Sequence, residues 1–201
     1  MSVNPGSLFA NEFTPIYQNV DTLQVDQLLA GPGISLFPSS GLGNVQITNA
    51  FPYATFVSSN SQVVSGVSTP TPLTFDISLT QFGGITLLNP PPSAEIQFAD
   101  AGVYKITRQV QLDTITSGGQ TANTWLYING SNAVPFSATQ EVIVVGEAQS
   151  VAREDYIIVA ALDTLEVALE SADGSMTATA IAATGNVPDI PSVSIQIQQI
   201  G

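Results

Sequence analysis

The side chains able to do chemistry are few. The 201 residues hold no His and no Cys. Three basic side chains, Lys105, Arg108 and Arg153, face sixteen Asp and Glu. This composition removes His-based triads, thiol nucleophiles and most zinc sites. Two carboxylates alone can hydrolyse a glycoside when they flank the scissile bond. Glu154 with Asp155, or Asp163 with Glu166, are the candidate pairs. The plainer expectation is that these are solvated carboxylates at turns and strand ends. Glu166 and Glu170 flank apolar Val167 and Leu169, so both should point outward. Oxygen ligands suit Ca²⁺, and Asp163, Asp173 and backbone carbonyls could supply them, but no EF-hand-like spacing exists. No catalytic residue, cofactor or metal site is therefore expected, and the chain reads as a non-enzyme.

Trp125, Tyr127, Tyr104 and Tyr156 could form a sugar-stacking platform. Trp125 and Tyr127 lie two residues apart, so on a strand they share a face. That face reads either as a ligand-binding surface or as packing in the core or at a trimer axis. Arg108 interrupts an apolar face and, if buried, needs a carboxylate or carbonyl partner; its expected role is structural.

The net charge of −13 argues against nucleic-acid binding, which needs Lys and Arg to neutralise phosphates. It argues equally against docking on an anionic membrane. The acidity serves solubility through self-repulsion, or else a specific basic partner. Charged residues make up only 9% of the chain, against about a quarter in an ordinary domain. The surface must then be built largely of Ser, Thr, Asn and Gln. Such a surface desolvates cheaply and suits a protein buried among copies of itself or neighbours. Without Cys there is no disulfide framework, and redox chemistry does not indicate a compartment. The opening residues MSVNPGSLFANEF lack a basic region followed by an apolar run, so no signal peptide is expected. No uncharged apolar run approaches the ~20 residues of a membrane span.

The elements that must position these side chains read as strands. In Ile96–Leu112, IQFADAGVYKITRQVQL, a turn at Ala99-Asp100-Ala101-Gly102 leads into a long alternating run. Tyr104, Ile106, Arg108, Val110 and Leu112 fall on one face. Lys105, Thr107, Gln109, Gln111 and Asp113 fall on the other, as in a half-buried antiparallel strand. Further strands are expected at 53–58, 62–66, 73–79, 85–88, 94–98, 124–128, 134–138, 141–146, 149–153, 156–160, 165–170, 176–182 and 192–200. Asn129-Gly130 is the strongest hairpin signal. Pro70, Pro72 and Pro90–Pro92 mark corners rather than central strands. Many short strands at about 8–12 residue spacing predict an all-β sandwich or barrel over 51–201.

Two segments precede it. Residues 1–20 carry Phe9, Phe13 and Tyr17 among turn-forming prolines. They read as a flexible terminus or as an extended arm laying aromatic anchors into a neighbouring chain; the second is preferred. Residues 21–50 read as a short β segment. Its pattern, Gly31-Pro32-Gly33-Ile34-Ser35-Leu36, a small turn, then Val45-Gln46-Ile47-Thr48-Asn49, resembles the short β segments of trimeric phage and virus fibres.

Four motifs in order carry a second resemblance. They are Phe98–Ile106 with its Gly102-Val103-Tyr104, Leu126–Gly130 ending in Asn-Gly, Tyr156–Val167 with Asp163, and the closing run Ser192–Ile200. Together they resemble the jelly rolls of the tumour necrosis factor and complement-head superfamily, over roughly residues 95–201. Two departures stand out: Leu162 replaces the usual Gly before the Asp, and Pro188–Pro191 replaces the Phe-x-Gly of the closing hairpin. These fit viral and phage versions of the fold better than the receptor-ligand branches. The resemblance implies a jelly-roll head that forms a homotrimer, and it carries over no catalytic residue.

The expected function is accordingly that of a virion structural protein. It would be a capsid decoration or cement protein, spike or fibre head, self-associating as a trimer and fastened by its arm to capsid or fibre-base proteins. The alternative is a module binding a host glycan or receptor through loops at one end of the sandwich, such as 116–120 and 183–191.

Overall fold

The computed structural model describes the backbone at Ile34–Phe37 and Gln46–Asn49, and residues 51–64, 66–114, 119–172, 174 and 176–201. The anchors Phe9, Phe13 and Tyr17 lie outside the described residues. By its contacts the chain divides into two compact units, 1–49 and 50–201. In the first, β1 (Ile34–Phe37) and β2 (Gln46–Asn49) pair antiparallel.

The second unit is all β. Its strands are β3 (Tyr53–Ser58), β4 (Gln62–Val63), β5 (Thr71–Pro72), β6 (Ile77–Phe82), β7 (Ile85–Leu87), β8 (Ile96–Phe98) and β9 (Gly102–Thr114). There follow β10 (Gln120–Ile128), β11 (Asn132–Ala133), β12 (Thr139–Ile143), β13 (Gln149–Val159), β14 (Thr164–Ser171), β15 (Met176–Ala178) and β16 (Val193–Gln199). The first sheet runs β4-β15-β9-β16-β3-β6, with β13 on β9. The second runs β11-β10-β14-β8-β7, with β12 on β10 and β5 on β14. From β8 to β16 the chain repeatedly crosses between sheets: β8 second, β9 first, β10 and β12 second, β13 first, β14 second, β16 first. The result is an antiparallel sandwich wound as a jelly roll.

Alternation decides which side chains fill the space between the sheets. Tyr104, Ile106, Val110 and Leu112 of β9 point inward, as do Ile195 and Ile197 of β16 and Phe56 of β3. From the other sheet come Leu126, Leu165, Val167, Leu169, Ile96 and Phe98. Each such fully buried side chain contributes about 1.5–3 kcal/mol. The Asn129-Gly130 turn forms as expected, both residues at positive φ (53° and 72°). Gly102 has no substitute, because a β-carbon there would stand 2.7 Å from the Gly201 carbonyl.

Several expected strands need correction. Residues 149–153 and 156–160 are one continuous strand, β13, and Glu154-Asp155 is its middle rather than a turn. It pairs with β9 along its whole length, from Gln149 opposite Leu112 to Val159 opposite Gly102. The expected strand 73–79 is broken because the Asp76 carboxylate accepts from the Ser59 amide (2.8 Å), the Ser59 hydroxyl (2.5 Å) and Asn60 Nδ2 (2.7 Å). Pairing resumes at β6. Residues 134–138 form a turn with Phe136 at positive φ, and the short strand lies just before them as β11. The strand expected over 176–182 stops at Ala178, and 62–66 shortens to β4.

Candidate functional site

Three groups of side chains stand out: a buried charge network between the sheets, and the outer face of each sheet. The network begins at Arg108, which points inward from β9. Its Nη1 donates to Asp155 Oδ2 at 2.5 Å, and its Nη2 donates to the Ser137 carbonyl. Arg153 donates to the other oxygen, Asp155 Oδ1, at 2.8 Å, and to the carbonyls of Phe136 and Ala138. One buried carboxylate thus holds two guanidinium groups, which in turn hold the 134–138 turn. Burial pulls the Arg108 guanidinium below its ordinary value, opposed by Asp155. Asp155 is committed to this structural pairing, so the pair Glu154 and Asp155 does not flank a cleft. Lys105 Nζ meets Glu154 Oε2 at 2.6 Å on the solvent side.

The remaining candidates are also separated. Asp163 accepts from Asn129 Nδ2 and from the Ala160 amide, both at 2.8 Å. These bonds hold its carboxyl below the usual range, Asn129 contributing most. It staples the 160–164 turn to the β10 hairpin. Asp173 lies outside the described residues, as does most of the loop 116–120. Among the described residues no group of three or more Asp or Glu could hold a metal ion.

The outer face of the first sheet follows from register. One row crosses five strands: Phe82, Tyr53, Gln198, Lys105, Tyr156. The next holds Thr80, Thr55, Gln196, Thr107 and Glu154. On the other side of the first row, Val103 stands opposite Ile158. Tyr53 and Phe82 stack with centroids 5.7 Å apart. Tyr156 is 62% exposed and Ile158 is 83% exposed. Lys105 and Glu154 are the only charges in these rows, and they pair with each other. A shallow depression of about 420 Å³ lies between Tyr53, Lys105, Thr107 and Gln196.

The outer face of the second sheet holds the aromatic pair. Trp125 and Tyr127 lie on β10 in T-shaped contact, centroids 5.7 Å apart at 70°. Neither is core; both are half-buried on the outer face. On β14, Ala168 stands opposite Trp125 and Glu166 opposite Tyr127. Glu166 does leave the core side, as expected, but it is not solvated: it is 7% exposed. Tyr127 stands opposite it on β10, and by register Glu95 stands opposite it on the other side. Burial, with the Glu95 charge adding, pushes its carboxyl above the ordinary value. Sequence reading missed this burial. It depends on which strands flank β14, and that is set by register rather than by local pattern.

No family model matches the chain, and no curated protein matches it. In fold, the chain is similar to solved structures of murine APRIL. The crystal form at pH 8.5 shares 13% identity with it at a TM-score of 0.47, over 75% of this chain and 99% of that one. The form at pH 5.0 shares 9% identity at a TM-score of 0.47, over the same shares of each chain. The likeness is one of fold alone, and nothing about what this chain binds is taken from it.

Proposed function

We propose that this chain is a virion structural protein whose sandwich is a self-associating head. The assembly is a homotrimer, and residues 1–20 fasten it to a capsid, spike or fibre base. The role is structural and involves no catalysis. One observation carries the self-association: the outer face of the first sheet presents Tyr53, Phe82, Tyr156 and Ile158 with no unpaired charge between them. Exposed apolar side chains at both ends of one sheet row, with only Gln198 and the ion-paired Lys105 between them, fit a protein-contact face. Its surroundings are Thr, Gln and Ser, which lose little on desolvation. The resemblance noted in the sequence supports three copies, and the fibre-like 31–49 pattern supports a virion setting.

The test is the solution mass of the full-length chain by light scattering. A value near three times 20.9 kDa is expected. Ile158→Asp with Tyr156→Ser should give a folded monomer. A wild-type monomer at all concentrations overturns the reading.

A further inference from the structure

The second sheet contains a carboxylate that the fold itself leaves without a partner. Two acidic side chains of the described residues are buried, Asp155 and Glu166. Asp155 holds two guanidinium groups. Glu166 holds none, and among the described residues no donor reaches it. Nor can one be borrowed, because all three basic side chains of the chain are already in ion pairs. The side chain is mostly covered, yet its carboxylate oxygens still touch solvent, so a charged group arriving from outside can reach and complete them.

The surroundings say what would complete it. Glu95, just before β8, continues the row Tyr127, Glu166 by register, and its charge acts on Glu166. Two carboxylates therefore stand side by side next to two aromatic rings. In the next row Ala168 is fully buried between Trp125 and Pro72. A divalent metal would require more oxygen ligands than two carboxylates, and aromatic faces supply none. An organic cation matches both halves: its charge meets the carboxylates and its flat or methylene surface meets the rings.

We propose that Glu166, with Glu95, Tyr127 and Trp125, forms a receptor for a guanidinium or ammonium group, supplied as an Arg or Lys side chain of a partner protein. Such a partner suits a chain of net charge −13, whose long-range field gathers basic surfaces. The raised carboxyl value of Glu166 belongs with an unfilled cation site, since binding a cation would restore the charged form. The inference stands apart from the oligomer reading: it concerns the opposite sheet, and its test does not depend on the mass.

Trp125 is the sole tryptophan, so its fluorescence reports this site directly. Full-length protein is titrated with acetyl-arginine-amide and acetyl-lysine-amide, with neutral acetyl-citrulline-amide as control. Tetramethylammonium and a methyl glycoside are run in parallel. Saturable response to the two charged amides, at least fivefold weaker in Glu166→Gln and weaker also in Glu95→Gln, is expected. The variants' melting transitions show that they are folded. Equal response to citrulline, a response only to the glycoside, or no effect of either substitution overturns the proposal. Response to tetramethylammonium alone would make the ligand a small quaternary ammonium ion and overturn the partner side chain.

Discussion

Leu162 stands where the resembling family has Gly, and its backbone is at φ 70° with its side chain largely exposed. A non-glycine residue in this left-handed region costs about 1–2 kcal/mol. Leu162→Gly should therefore stabilise the protein by about 0.5–1 kcal/mol after the added chain entropy of glycine is subtracted, read as a rise in midpoint denaturant concentration. Arg108 works in the opposite direction. Arg108→Ala breaks a buried pair and frees the Ser137 carbonyl, and should cost about 3–5 kcal/mol in equilibrium unfolding. Arg108 was legible in the sequence as the one polar residue of an apolar face; its partner Asp155 was not, because a mid-strand carboxylate looks like a turn residue until the strand is known to continue. Glu166 gives a pH dependence. Its folded value lies above its unfolded one, so between the two the native state binds more protons. Stability then falls as pH rises through that window and stays lower above it. Glu95 faces it, Tyr127 lies beside it and Glu170 is the next acid along its strand, so no cation offsets the effect. Glu166→Gln should raise the melting temperature at neutral pH by about 2–4 °C per kcal/mol recovered and flatten the profile on the acid side.

At the scale of elements, alternation made the long strands legible. β3 falls where the sequence placed it, β9 takes in the whole alternating run from Tyr104 to Asp113, and β16 is one residue shorter at each end than 192–200. Where side chains override alternation, the reading failed. Asp76 binds the 59–60 turn and interrupts what looked like one strand. At 134–138, Arg153 captures two carbonyls that would otherwise seek a ladder. In β13, the acids Glu154 and Asp155 were mistaken for a break, because pairing with Lys105 and Arg108 across to β9 is invisible without register. Hydrogen exchange tests the correction: the alternate amides of 151–158 that bond to β9 should be protected as one set, running through Glu154 and Asp155 without a break.

For the whole molecule, the all-β sandwich followed from composition, strand spacing and turn chemistry. The candidate sites did not, because they depend on which strands lie side by side. Removing residues 1–20 should leave a folded head with unchanged oligomer mass but without attachment to particles, measured by co-sedimentation with capsids or fibre bases; retained attachment would show that the arm is not the fastener. The Arg153 contacts carry one more consequence. β13 has eleven residues and, among the described residues, a single ladder partner, β9, so its other side can template another chain's strand. Arg153 holds the 134–138 turn against this strand. Arg153→Ala should loosen that cover, and the variant should then nucleate thioflavin-positive fibrils at concentrations where the native chain stays dispersed. At high local concentration, a single guanidinium would separate the dispersed native chain from amyloid.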